Sequence, residues 1–445
     1  MQGNSLNIDF PVGNWTAPLT TYTIDFGDGT VIPNQIGTAF HTYSSPGIYT
    51  VTVSGNIDYV SIGVSSTSEK FRTVEQWGSA QWVHFSYGFA NCPHVVFNAT
   101  DVPNLLNTVS MDNMFRGSTN FNSPIGHWDV SAITNMSYMF FGANSFDQPL
   151  NNWATENVTD MRAMFYAATS FNQPIDTWDT SSVTNISNMF HGCAYNHPLP
   201  WDVSQVTDMN SMFEYSAFNQ PIDNWDVSSV TTMEEMFYGA DYNQPLNNWD
   251  VSSVTNFKAM FRFSEFNFFI HEWDVSSVTT MEEMFVGSEF NQPLNSWDVS
   301  SVTNMRYMFS DSKFNQPISD WDVSAVTNMI RMFMNSKFNQ PLDEWDVSNV
   351  QSMAGMFERS IYNQPLNNWD VSSVQSMWYM FHAAEFNQPI NQWDVTSVTT
   401  MENMFKYNVV FNQPLNDWNI SGVLDMQGMF LGATLFNQGP VIVEL

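Results

Sequence analysis

The sequence predicts an α/β repeat solenoid, with a parallel β-sheet on one face and short helical turns on the other, preceded by a small N-terminal β-sandwich. Three observations predict it. Tryptophan recurs from Trp128 to Trp418 at intervals of 23 to 25 residues, mostly 24, and a phenylalanine series from Phe115 to Phe430 recurs with it. Within each period the apolar spacing changes from strand-like to helix-like. The residues up to about Gly63 lack the period and alternate apolar and polar side chains instead. A 24-residue unit cannot bury an apolar face alone, so such units must stack and share a core.

Four segments follow. Residues 1–63 read as the sandwich. Thr21 to Thr30, T-Y-T-I-D-F-G-D-G-T, is a strand ending in an Asp-Gly turn. His41 to Val53 places a Pro-Gly turn before Tyr49, Val51 and Val53 on one face and Thr50 and Thr52 on the other. Asp25 and Asp28 are turn-forming or calcium-binding. Residues 64–110 read as irregular capping coils, in which Trp82, Phe85, Phe89 and Cys92 keep the repeat's phase. Residues 111–436 are the regular array. Residues 437–445 read as a capping strand, P-V-I-V-E-L, whose outer edge would allow end-on self-association.

One unit shows the expected plan. Leu294 to Val299, L-N-S-W-D-V, has the spacing of the strand in a leucine-rich repeat, with Leu294, Trp297 and Val299 inward and Asp298 outward. Val302, Met305, Met308 and Phe309 have helical spacing, behind Ser and Thr residues suited to an N-cap. Phe-Asn-Gln-Pro then ends regular structure. The methionines read as polarizable core filler and the tryptophans as core. Asn291, Asn315, Asn339, Asn363 and Asn387 read as a ladder bonding the backbone of neighbouring coils.

Composition limits the function. Twelve Lys and Arg stand against 44 Asp and Glu, a formal charge of −32. That excess disfavours nucleic acid and anionic lipid as partners. No run of 18 apolar residues is present, so no membrane span is expected. Cys92 and Cys193 share one small position four coils apart; at ~4.8 Å a coil they are ~20 Å apart, too far for a disulfide. No nucleophile elbow, phosphate loop or zinc spacing is present, so catalysis is not expected.

Two families are resembled. D-F-G-D-G-T with H-T-Y-S-S-P-G-I-Y-T-V-T-V resembles a truncated polycystic-kidney-disease (PKD) type domain. The array F-N-Q-P-L-N-x-W-D-V-S-S-V-T-N-M-x-x-M-F resembles the BspA-like leucine-rich-repeat surface proteins, including the repeats first noticed in mycoplasma lipoproteins. The resemblance implies an extracellular or surface-displayed protein, with adhesion or recognition of a cell-surface protein or glycan as its role. No cofactor is required by it. The beginning M-Q-G-N-S-L-N-I-D-F-P-V-G-N-W does not read as a secretory signal. A virion or phage-fibre component, released by lysis, is therefore the alternative.

Candidate site residues are those that repeat a charge or break the repeat. Asp226, Asp250, Asp274, Asp298, Asp322, Asp346, Asp370 and Asp394 form a column after each Trp. Carboxylates ~4.8 Å apart repel by ~0.9 kcal/mol per pair at water's dielectric. Either each accepts bonds from the following V-S-S turn, or the column collects calcium. His191, Cys193 and His197 share one coil and form a weaker metal candidate. Phe268 and Phe269 replace the usual Gln-Pro, with Phe263 near in sequence, and predict an apolar partner patch. Trp378 and Tyr379, outward in M-x-x-M, are a second partner-binding candidate.

Overall fold

The computed structural model describes residues 6–13 and 21–438. Two compact units are formed, one of Met1–Val206 with Ser216–Gln220, the other of Thr207–Tyr215 with Pro221–Leu445.

The first unit begins with small antiparallel sheets. Strand β1 (Asn7–Phe10) pairs with β5 (Ala39–Thr42), β2 (Val12–Gly13) with β7 (Tyr59–Val60), and β3 (Tyr22–Asp25) lies between β4 (Val31–Gln35) and β6 (Thr52–Gly55). Tyr22, Ile24, Phe26 and Ala39 fill the interior. The expected alternation holds, with Tyr49, Val51 and Val53 half-buried and Thr50 and Thr52 exposed. Gly27 adopts φ +75°, and a Cβ there would meet the Thr50 carbonyl oxygen at 2.5 Å, so the D-F-G-D-G turn requires glycine. Asp25 and Asp28 serve this turn: their Oδ1 atoms accept from the Gly27 and Thr30 amides at 2.8 and 2.9 Å.

The end of this module is the first rung of the coils. The Val83 amide donates to the Asp58 carbonyl at 2.7 Å, and the Ile62 and Gly63 amides donate to the Gly88 and Tyr87 carbonyls at 2.9 Å. Strands β8 (Thr73–Val74) and β9 (Val96–Phe97) then pair in parallel. Trp82, Phe85, Phe89 and Cys92 are buried in the phases expected of capping coils.

In the repeats the predicted α/β architecture is not found. Among the described residues there is no α-helix; the helical elements are the three-residue 3-10 turns Ile62–Val64 and Ser68–Lys70. The M-x-x-M-F segment is a ribbon of consecutive turns. In the second unit the amides of Met308, Ser310 and Ser312 close turns on the carbonyls of Met305, Tyr307 and Phe309. The alternating amides of Met305, Tyr307, Phe309 and Asp311 donate instead to the next coil, at Asn328, Ile330, Met332 and Met334. Tyr307 and Asp311 have φ of 58° and 57°. A positive φ at the third residue of a turn is the type II geometry and cannot continue a right-handed helix. Turns closed three residues apart place Met305 and Met308 on one side as a helix would, which is why the spacing read as helical. The first unit does the same, with Met111, Asn113 and Phe115 donating to Asn135, Ser137 and Met139.

The predicted parallel sheet over L-x-x-W-x-V also fails. Leu294, Trp297 and Val299 are buried and Asp298 is exposed, as expected. However, the Trp297 amide turns back to the Leu294 carbonyl and Val302 to Val299, so the chain bends twice and no extended run forms. Parallel pairing occurs as isolated bridges one residue before the first Met, such as Asn304 with Asn328 and Asn328 with Ser352.

Side chains complete the stacking within each unit. Phe309 stacks on Phe314 of its own coil at 4.2 Å and on Phe333 of the next at 5.8 Å. Each fully buried aromatic stabilises by roughly 1.5–3 kcal/mol. The Trp321 indole N–H donates to the Leu294 carbonyl of the preceding coil at 2.9 Å, and Trp345 repeats this on Ile318 at 3.0 Å. The tryptophans of these two coils, Trp321 and Trp345, are therefore core, with the indole N–H satisfied. The asparagines form the expected ladder: Asn291 Oδ1 accepts from the Asn315 amide, and Asn315 Oδ1 from Asn339, each at 2.9 Å. Of the predicted capping strand, 439–445 lies outside the described residues. Asn437 and Gln438 continue the ladder by bonding Asn412.

Candidate interaction site on the turn ribbon

Side chains that face away from the core on the ribbon vary from coil to coil, because the backbone there needs none of them for its inter-coil bonds. Eight of the twelve Lys and Arg residues stand on it: Arg116, Arg162, Lys258, Arg262, Arg306, Arg331, Arg359 and Lys406. The ribbon, and not the Asp column, thus carries most of the cationic chemistry of an acidic chain.

In the second unit five coils contribute to one unrepeated cluster. Arg331 donates from Nε to Glu358 Oε2 at 3.1 Å and from Nη1 to the Tyr307 hydroxyl at 3.0 Å. Its guanidinium also lies over the Trp378 ring at 5.2 Å, two coils further on. Gly355 makes that reach feasible: a Cβ there would meet Arg331 Cγ at 2.7 Å. Trp378 donates from its indole N–H to Glu402 at 3.0 Å and packs on Tyr379 at 4.3 Å. Tyr379 is 4.7 Å from the His382 ring, and Tyr407 is 6.0 Å from it. Glu358 and His382 are buried, 6 % and 8 % exposed. Burial holds the His382 imidazole below its usual pKa, against the opposing charge of Glu358.

The candidate pair Trp378 and Tyr379 thus lies inside this cluster, both half-buried. Sequence reasoning missed Arg331, Glu358 and His382. The available signal was Ala354-Gly355, two small residues facing a coil with Trp at the outward position.

The Phe263, Phe268 and Phe269 candidate divides in two. Phe263 is on the ribbon, 50 % exposed at φ 53°, packed with Arg262 at 5.1 Å and Tyr238 at 5.9 Å. Phe269 is 53 % exposed and meets His271 edge-on. Phe268 is half-buried against Phe266 at 6.4 Å. It stands where other coils place a Gln that donates to the preceding coil's Asn, as Gln292 does to Asn267.

The Asp column is locally engaged. Asp226, Asp250, Asp274 and Asp298 each accept through Oδ1 from the amide and hydroxyl of the Ser two residues on, at 3.1 and 2.6 Å. Asp322, Asp346 and Asp370 accept from Ser324, Ser348 and Ser372 amides at 3.0 Å, and Asp394 from Thr396. These bonds lower the pKa of Asp274, Asp322 and Asp394, the side-chain bond from Ser276, Ser324 or Thr396 being the largest cause. Among the described residues no group of three His, Cys, Asp or Glu is placed to hold a metal ion. In the His191–Cys193–His197 coil, His191 stacks on Tyr166, His197 bonds the Asn172 carbonyl, and the buried Cys193 thiol donates to Ala168. Burial raises both thiols, Cys92 and Cys193, to about 12, so neither is a ready nucleophile.

These features define a repeat protein whose coils join through backbone turns and whose first rung is supplied by a small β module. The chain belongs to the family described as "Mycoplasma protein of unknown function, DUF285", matched over residues 83–200, 196–288, 262–361 and 359–441. A PKD domain is matched over residues 9–62. No curated protein and no solved structure matches the chain. Among the described residues, no helix is long and apolar enough to cross a membrane.

Proposed function

We propose that the chain is a non-catalytic, surface-displayed recognition protein of BspA-like kind, acting outside the cell and binding a cell-surface protein or glycan through its turn ribbon. The observation that carries this is the unrepeated group of Arg331, Trp378 and Tyr379 on an otherwise repetitive frame. Aromatic and Arg side chains held by neighbours are the residues that dominate binding energy at interfaces. The PKD module supports the extracellular placement. The exposed Phe263 and Phe269 supply a second apolar contact.

The test is a screen of glycans and cell-surface proteins with the full chain, repeated with Trp378→Ala and with the double change Phe268→Gln, Phe269→Pro. A partner whose binding falls at least tenfold in either variant, with melting temperature held, supports the reading. A partner bound equally by the wild type and both variants would place recognition elsewhere and overturn it.

A further inference from the structure

We infer that Arg331, Glu358 and His382 form an acid-operated latch that holds the Trp378–Tyr379 surface in place and loosens it as the pH falls into the mildly acidic range. The latch operates in the chain with no partner bound.

The geometry is of one carboxylate facing two bases. Glu358 Oε2 accepts from Arg331 Nε at 3.1 Å. His382 Nδ1 is 3.6 Å from Glu358 Oε1 and has no hydrogen-bond partner. An unpartnered ring nitrogen in a buried site is costly to leave unmade. Whichever ring nitrogen takes the added proton, the ring becomes cationic with an N–H at Nδ1, and that N–H is a charge-assisted donor that draws the Glu358 carboxylate toward the imidazolium. Arg331 would then share its only carboxylate partner in the cluster. Its guanidinium lies over both the Tyr307 and Trp378 rings, at 5.9 and 5.2 Å, so its release removes the side-chain tie that spans from the Arg331 coil to the Trp378 coil over the backbone ladder.

The charged and titratable groups around His382 set the direction. Glu358 and Arg359 face it from the preceding coil, Lys406 and Tyr407 from the following one, and Tyr379 from its own turn. Glu402 holds Trp378 from the far side. Arg331 acts through Glu358. Burial, Arg359 and Lys406 all disfavour the imidazolium, while Glu358 favours it, and the net result is a lowered pKa. A histidine that binds its proton more weakly folded than unfolded makes stability rise with pH. Its contribution is complete above the ordinary value of 6.5 and is lost progressively as the pH falls below it.

The experiment uses the full chain. The imidazole of His382 is titrated by NMR, assigned by its loss in His382→Gln. Amide hydrogen exchange over 378–384 is compared at pH 7.5 and 5.5 after correction for intrinsic rates. The expected result is a midpoint below 6.5, with a loss of protection at pH 5.5 in the wild type that is absent in His382→Gln. Glu358→Gln is expected to show low protection at both pH values, since Arg331 is already released. A midpoint at or above 6.5, or equal loss of protection in the wild type and His382→Gln, overturns the latch. Should His382→Gln fail to fold, the wild-type exchange decides alone: protection over 378–384 unchanged between the two pH values overturns it, and a selective loss there relative to 305–312 supports it.

Discussion

The W-D-V-S-S loop and the M-x-x-M-F ribbon belong to the same coils and recur with the same period, yet they stabilise the coil by opposite means. The loop closes its carboxylate on its own turn, and only its Trp indole and an occasional Asn reach the preceding coil. Asp274 accepts from Ser276, two residues away, and its carboxylate bonds no other coil. The ribbon is closed between coils. Met305, Tyr307, Phe309 and Asp311 all give their amides to the next coil. A loop that uses its side chains for its own turn must keep them, so it repeats the same residues. A ribbon that uses its backbone leaves its outward side chains free to vary, and the variation is where Arg331, Glu358 and Trp378 meet.

The comparison is tested most severely by removing one carboxylate from each region. Glu358→Ala leaves Arg331 without its carboxylate partner in a largely buried cluster. A cost of about 2–3 kcal/mol is expected, discounted from a fully buried pair because Arg331 is a quarter exposed. Asp274→Ala removes a solvent-facing turn bond and should cost within about 1 kcal/mol. Urea midpoints of the two variants measure the difference. Equal losses would show that the ribbon carboxylate is no more embedded than the loop one.

A smaller effect of opposite sign separates the ribbon from a helix. Ala383 is exposed, has φ 50°, and gives its amide to the Lys406 carbonyl of the next coil. Ala383→Gly relieves a left-handed residue and should stabilise by about 0.5–1 kcal/mol. In a helix the same change would destabilise by about 1 kcal/mol. A lowered melting temperature would restore the helical reading.

That reading shows what was legible. Apolar spacing told which side chains face inward, because Met305, Met308, Phe309, Trp297 and Val299 are buried in either geometry. It could not tell a helix from successive turns, since both return a side chain to the core after three residues. The missing signal was in the outward positions. Gly117, Gly142, Gly192, Gly239 and Gly287, with Asn91 and Asn335, recur at the second left-handed site of the ribbon. Glycine and asparagine are the residues that tolerate positive φ, and a helix would have little use for them there. The β module was read more fully, because strict alternation and Asp-Gly turns are local signals. The cluster at Glu358 was legible least. Arg331 reaches Trp378 across a coil that Gly355 leaves open, and no periodicity in one sequence marks a contact between two exceptions.

The smallest expected effect concerns the Asp column and calcium. Carboxylates stacked coil on coil repel, and a divalent cation would relieve that repulsion. A calcium ion takes six to eight oxygen ligands. In the column each Oδ1 is already committed to the turn that follows it, as in Asp298 with Ser300, which leaves one oxygen per coil facing solvent. One oxygen from each of two neighbouring coils is far short of a coordination shell, and from Asp226 to Asp298 the serine hydroxyls that could add to it are themselves donating to the carboxylates. The melting temperature should therefore be the same, within a degree or so, in excess calcium and in excess chelator, and it should rise modestly with monovalent salt, which screens exposed charges without needing a site. A calcium-specific rise beyond that of sodium at equal ionic strength would mean the Oδ1 bonds exchange for metal, and the loop's carboxylates would then bind between coils as its Trp indoles do.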